Sequence, residues 1–348
     1  MNRLPFFASM PDEINEALSR LGAKKYTLRQ LYQWVYEKHV TDPQMMSNIP
    51  QSLRDAFQEQ FDFAIPVVIQ SVLSEDGSSK LVLELHDQAK IEMVLMPGDG
   101  KNTVCISSQV GCSRKCSFCA TGLQGLKRNL DVNEIVGQVY LASKAFSPDK
   151  LTNIVFMGMG EPFDNYDNVF KAIQVIQSDP GMKFSPRHIT VSTCGVIPKI
   201  RKLGTSGIKV KLAVSLNAAI DSTRDTLMPV NRIYPLGELK KTLLDYRKRS
   251  TFRITYEYIM IPDFNMGEKD ITALKKFLAD QSCKLNLISF NPVKGLPFRK
   301  PELEEVENFM DALSDLKVAV MLRKSRGSDI NAACGQLAGQ VQSNKQKR

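Results

Sequence analysis

The chain has 348 residues, enough for one large α/β domain and a small accessory one. Its 46 lysines and arginines exceed its 37 aspartates and glutamates for a net charge of +9, which favours an anionic partner while leaving a merely solvated basic surface open. Seven unevenly spaced cysteines exclude a disulfide framework, no run reaches membrane length, and the opening MNRLPFFASMPDEINE has no signal-peptide core, so a cytoplasmic monomer away from membranes is expected.

Residues 1–62 read as a helical accessory module. Ile14, Ala17, Leu18 and Leu21 share one helical face that Gly22 closes. Thr27 with Gln30 forms a capping-box pattern opening a second helix that buries Leu28, Leu31 and Val35, and Pro50 opens a third with Leu53, Ala56 and Phe57 inward. Lys24, Lys25, Arg29 and Lys38 alternate with Tyr26, Tyr32, Trp34 and Tyr36. That mixture suits gripping RNA phosphates and stacking on bases, and it also suits a solvated helix face over a core Trp.

Over residues 63–98 the period changes to two: VVIQSVL, a turn at Glu75-Asp76-Gly77, then KLVLELH and KIEMVLM, which predict a small antiparallel β-hairpin or meander. Glu92, between apolar neighbours on the last run, reads on its own as an exposed strand residue.

Residues 99–340 alternate strand and helix. Strands are predicted near 104–107, 151–157, 188–192, 209–215, 253–261 and 284–290, with VAVML (318–322) after them. Helical periods fall between them, one capped by Asp131 with Glu134, others near 165–177, 237–249, 268–280 and 302–315. Six parallel strands with crossover helices give an α/β fold, an open partial (β/α)6 barrel. The tail 341–348 reads as disordered and basic.

In such a barrel the chemistry sits at the carboxyl ends of the strands. The unusual residues fall there: Gly158-Met159-Gly160-Glu161-Pro162 after the second strand, Ser192 ending the third, Ser215-Leu216-Asn217 the fourth, and Asn291 after the sixth. Gly158 and Gly160 let the backbone approach a ligand, and Glu161 can accept hydrogen bonds from an ammonium group. After the first strand comes VCISSQVGCSRKCSFCATGLQGLKR (104–128), with Cys112, Cys116 and Cys119 at C-x3-C-x2-C spacing. A structural zinc site wants four ligands, and no further Cys or His follows before His188. Three thiolates on a four-iron cube leave one iron open, as a reactive centre requires. Cys334 lies in the small-residue loop Asn331–Gly335 after Arg323, Lys324 and Arg326, unshielded and near positive charge, which favours a thiolate; Cys194 and Cys283 read as packing thiols.

With Phe118 before its last cysteine, the triplet resembles the signature of the radical S-adenosylmethionine (SAM) superfamily. CISSQVGC (105–112), MGMGEP (157–162), RKSRG (323–327) and DINAACGQLA (329–338) are similar to one family within it, the RlmN/Cfr adenosine methyltransferases of RNA, over nearly the whole chain. The resemblance implies one 4Fe-4S cluster on Cys112, Cys116 and Cys119, with SAM chelated to its open iron. It implies a SAM site of Gly160, Glu161, Ser192, Ser215, Leu216, Asn217 and Asn291, although Asn217 stands where the family more often has His. Glu92 matches an acid that acts on the adenine. Cys334 matches a methyl-carrying cysteine, and Cys105 the thiol that releases the RNA–protein thioether by forming a disulfide with it. An sp2 ring carbon is no nucleophile toward SAM whereas a thiolate is, which is why such a carrier is needed. The implied reaction is methylation of C2 of an adenine in 23S rRNA, and possibly tRNA, with electrons from a flavodoxin- or ferredoxin-type donor. Two alternatives stand beside it: Cfr-like attack at C8, against which Glu161-Pro162 looks more like the RlmN branch, and a non-catalytic iron–sulfur RNA-binding protein.

Overall fold

The structure is a computed structural model and describes residues 3–339. The predicted disorder of 341–348 lies outside the described residues. One ten-stranded sheet carries the fold, its strands neighbouring one another in chain order: β1 (Val67–Leu73), β2 (Ser79–Glu84), β3 (Lys90–Met96), β4 (Asn102–Cys105), β5 (Leu151–Phe156), β6 (Ile189–Thr193), β7 (Lys211–Ser215), β8 (Ile254–Met260), β9 (Cys283–Ser289) and β10 (Ala319–Arg323). β1 to β4 pair antiparallel, and β4 to β10 pair parallel.

The parallel strands are where the sequence put them, and VAVML becomes a seventh beside β9. The meander is not a separate extension: β3 pairs with β4 through Val94 and Cys105, so it continues the barrel sheet. β8, ITYEYIM, is buried along most of its length, as expected of a strand covered on both faces. Helices Val132–Phe146, Tyr166–Gln177, Ile197–Thr205, Leu236–Arg249, Glu268–Leu278 and Leu303–Ala312 connect the strands. The first is capped as predicted, Glu134 N–H donating to Asp131 Oδ1 (2.7 Å) and Asp131 N–H to Glu134 Oε2 (3.0 Å).

The N-terminal helices are Pro11–Arg20, Thr27–Tyr32 and Gln51–Gln60. Thr27 does not cap: Tyr26 holds that place, Thr27 is buried, and Gln30 Nε2 donates instead to the Asn48 carbonyl at 3.3 Å. Tyr32 and Tyr36 pack edge-on and tilted among Phe6, Phe7, Phe61 and Phe63, so they are core rings and not free to stack on bases. Trp34 donates to Asn48 Oδ1 at 2.6 Å beneath Lys38, and of these four rings Tyr26 alone is largely exposed. The module sits on the barrel's outer helices through Phe7 against Tyr140 and the Glu13–Lys171 pair.

Candidate active site

The carboxyl ends of the parallel strands surround a cleft of about 820 Å³ lined by Cys112, Cys116, Cys119, Gly160, Glu161, Ser192, Ser215, Asn217 and Cys334. The cysteine loop is shaped by a two-stranded ribbon, Gln109–Gly111 with Leu126–Asn129. Gly111 has φ +78°, and a Cβ there would lie 1.9 Å from the Gly125 carbonyl oxygen that takes the Cys112 N–H. The loop is tied outward by Ser117 N–H to the Leu227 carbonyl (2.9 Å), by Ala120 N–H to Gly335 (2.7 Å) and by the Arg114–Asp164 fork. Burial pushes all three thiols up, Cys112 to about 12, and each also feels another's charge or, for Cys119, that of Cys334. Three thiols gathered on one wall ionise together only against strong positive charge, and as soft ligands they fit an iron–sulfur cluster.

Glu161 is buried, its carboxyl pushed up by that burial. It accepts the Phe163 N–H on Oε1 (3.0 Å) and the Cys194 N–H on Oε2 (2.8 Å), so it braces two strand-end turns while facing the cleft. Gly158 and Gly160 answer to protein packing: a Cβ would meet the Ile106 carbonyl oxygen at 2.7 Å and Gln109 Cβ at 2.6 Å. Asn217 adopts φ +57°, a left-handed conformation Asn tolerates well. Its amide is already engaged, with Oδ1 taking the Ile259 N–H (3.0 Å) and Nδ2 reaching Met228 Sδ (3.3 Å).

Leu216 and Asn291 do not line the cleft. Leu216 is fully buried, and Asn291 Nδ2 lies 3.4 Å from the Cys334 carbonyl oxygen, holding the loop that bears the thiol. Glu92 does not line it either. Far from being exposed it is 1% accessible, paired with buried Lys80 at 3.2 Å and accepting the Ala338 N–H at 2.7 Å. A buried acid with a matched ammonium is the arrangement that makes such burial tolerable.

Cys334 also borders a second cavity of about 550 Å³, which Cys105, Met157, Arg323, Lys324, Ser325 and Arg326 help to line. Burial pushes the Cys105 thiol up to about 12, with the Cys334 charge adding to it. Arg323 is the cation that serves these sulfurs: Cys334 is the leading cause of its raised pKa, and Glu257 pairs with it at 3.6 Å. Arg326 is spent on the Asp76 and Pro97 carbonyls. The loop itself is stitched to β1–β3 and to the cluster loop by Ser74 with Asp329, Lys80 with the Asn331 carbonyl, and Thr121 with the Leu337 carbonyl.

The sequence reading missed Lys80, Arg224 and Glu257. Lys80 and Glu257 are charged residues beside or inside apolar runs, which is the available signal, whereas Arg224 sits in the polar stretch 221–226 and gives none. Cys194, read as a packing thiol, is buried but lines the cleft beside Glu161. Cys283 is the strand-packing thiol expected.

The sequence pattern of the Radical SAM superfamily matches residues 106–274, and that of the ribosomal RNA large subunit methyltransferase N-terminal domain matches residues 9–62. A probable dual-specificity RNA methyltransferase RlmN of Dictyoglomus thermophilum is 42% identical over 328 residues, covering 94% of each chain. The chain belongs to the RlmN family. Another RlmN-family relative, from Akkermansia muciniphila, is 39% identical over 346 residues, 97% of this chain and 96% of its own. A crystal structure of a radical SAM methyltransferase from Sphaerobacter thermophilus, 38% identical, superposes with a TM-score of 0.92 over 97% of this chain and 100% of that one. As a member of the RlmN family within the radical SAM superfamily, the chain works with a 4Fe-4S cluster and SAM.

Proposed function

We propose that the protein methylates C2 of an adenine in 23S rRNA and in tRNA by way of a methyl group carried on Cys334. One observation supports this above others: Cys334 is shared between the cleft that holds the three cluster cysteines and the cavity that holds Cys105. A carrier has to face both the place where it is loaded and the place where it is unloaded. Relatives named dual-specificity RNA methyltransferases, and the match to a ribosomal RNA large subunit methyltransferase N-terminal domain, support an RNA substrate.

Cys112, Cys116 and Cys119 hold the cluster, and bound SAM supplies both the methyl group and the one-electron chemistry. Gly160, Glu161, Ser192, Ser215 and Asn217 frame SAM directly, while Leu216 and Asn291 act by setting neighbouring backbone. Cys334, beside Arg323 in the same cavity, is the sulfur that attacks the methyl group. Cys105, having lost its proton, attacks the Cys334 sulfur; the S–CH2 bond breaks with its electron pair passing to carbon, which takes up a proton to become the methyl group of the RNA, and the disulfide left between the two sulfurs is reopened by two electrons from a reductant. Glu92, held by Lys80 and the Ala338 N–H, is the residue that corresponds to the family's acid acting on the adenine. The helical module grips RNA phosphates through its exposed Lys24, Lys25 and Lys38, with Tyr26 the ring left for stacking. A flavodoxin- or ferredoxin-type donor, a monomeric state and a cytoplasmic setting complete the reading. Among the described residues no helix is long and apolar enough to cross a membrane.

Anaerobically reconstituted protein is expected to release 5′-deoxyadenosine from SAM, and mass spectrometry of digested substrate RNA should show 2-methyladenosine. Methyl at C8 would move the assignment to Cfr-type chemistry. A chain that binds RNA and a cluster yet cleaves no SAM would remove the enzymatic reading.

Glu161→Ala is expected to weaken SAM binding by roughly 10- to 150-fold, the worth of a charge-assisted hydrogen bond of about 1.5–3 kcal/mol. Because the carboxylate also braces Phe163 and Cys194, Glu161→Gln serves as the control that keeps an acceptor there. Calorimetry that finds wild-type affinity in both variants with full iron content would remove Glu161 from the SAM site.

A further inference from the structure

Arg224 is among the largest side chains wholly withdrawn from solvent, at 0% exposure. It sits on the short helix Asp221–Leu227 that follows β7. Its guanidinium donates from Nε to the Leu216 carbonyl (2.9 Å) and from Nη2 to the carbonyls of Cys194 (2.8 Å) and Ser215 (3.1 Å). Nη1 donates to Asn231 Oδ1 (2.9 Å). Every acceptor is neutral. The nearby carboxylates of Asp221 and Asp225 are turned toward Asn231 Nδ2, at 2.9 and 2.7 Å, and take nothing from the arginine directly.

A buried cation among neutral acceptors is an expensive arrangement if bracing is all that is needed. Asp221 and Asp225 lie on one side of it, across Asn231, and on the other side the fold brings its helix against the cluster loop. Leu227, at the end of the same helix, accepts the Ser117 N–H at 2.9 Å, which bolts the helix to the residue next to Cys116. Cys194, whose carbonyl Arg224 holds, lines the cleft together with Cys116. Burial lowers the arginine's pKa, and neighbouring negative charge, that of Asp221 and Asp225 included, opposes the fall.

We propose that Arg224 is a positioning residue with two separable duties: its fork of N–H groups fixes the strand-end backbone at Cys194, Ser215 and Leu216 on the SAM side, and its charge raises the electron affinity of the cluster on Cys116. The proposal rests on the cluster assignment to Cys112, Cys116 and Cys119. Its physics is elementary. A cluster that accepts an electron becomes more negative, and a fixed positive charge in a low-dielectric surrounding favours the more negative state.

Two substitutions in the reconstituted full-length protein separate the duties. Arg224→Gln keeps neutral donors and drops the charge, whereas Arg224→Lys keeps the charge and drops the fork. In a redox titration followed by electron paramagnetic resonance, Arg224→Gln is expected to lower the reduced-to-oxidised ratio at fixed potential by about tenfold, a displacement of about 59 mV to the negative side for a one-electron couple. Arg224→Lys is expected to leave the midpoint nearly where it was and to weaken SAM binding, by calorimetry, by about tenfold. An unchanged midpoint in an iron-replete Arg224→Gln protein overturns the electrostatic duty. Equal displacement in both variants also overturns it, since backbone relaxation would then be the cause. If Arg224→Gln and a second neutral variant, Arg224→Met, fail to fold or to take up iron while Arg224→Lys succeeds, the charge is needed even earlier and the proposal stands. If Arg224→Lys fails with them, it falls. A wild-type protein without iron would sink the cluster assignment itself, a result distinct from all of these.

Discussion

The Cys105→Ala protein is expected to stall part-way through its cycle, with RNA covalently attached. If Cys334 carries the one-carbon group that joins the adenine, the link is a thioether, and thioethers do not part spontaneously at neutral pH. Release needs a second thiol aimed at the Cys334 sulfur, and Cys105 lines the same cavity at the end of β4. The adduct should survive denaturing electrophoresis and vanish on nuclease treatment. Cys334→Ala should give neither adduct nor methylated adenine, a complete loss. The buried state of Cys105 adds a condition: with its pKa pushed up to about 12, the thiol is neutral at physiological pH until something takes its proton. The Arg323 charge opposes that rise and is positioned to assist. Normal turnover by Cys105→Ala with no trapped RNA would reduce this residue to strand packing.

The second large effect is expected at the cluster. Replacing any one of Cys112, Cys116 or Cys119 by Ala should abolish the brown chromophore of anaerobically prepared protein and all SAM cleavage with it. The three thiols line one cleft, and removing one leaves a pair that cannot hold a four-iron cube. Iron analysis with visible absorption decides the matter. Zinc at full occupancy without iron in the wild-type protein would refute the assignment.

Much of this was legible in the sequence, because the signals were local. The cysteine spacing, the period-two meander and the Asp131–Glu134 capping box each lie within a few residues and need no tertiary context. The strand-end clustering followed from barrel topology alone, and the cleft gathers Gly160, Glu161, Ser192, Ser215 and Asn217 as that topology requires. What stayed hidden depended on partners far along the chain. Glu92 reads as a solvent-facing strand residue until Lys80 and the Ala338 N–H are found beside it. Arg224 reads as surface charge, since arginines are seldom fully buried, and nothing local announces the carbonyls that surround it. The aromatic-basic alternation of the helical module was ambiguous for the same reason: Tyr32 and Tyr36 belong to a core completed by Phe6 and Phe61, at the two ends of that segment.

The loop that bears Cys334 is fastened to residues made far earlier, Ser74 lying 255 positions from Asp329 and Glu92 lying 246 from Ala338. During synthesis the cluster cysteines therefore leave the ribosome with most of the barrel still to come, and the nucleophile arrives among the last parts.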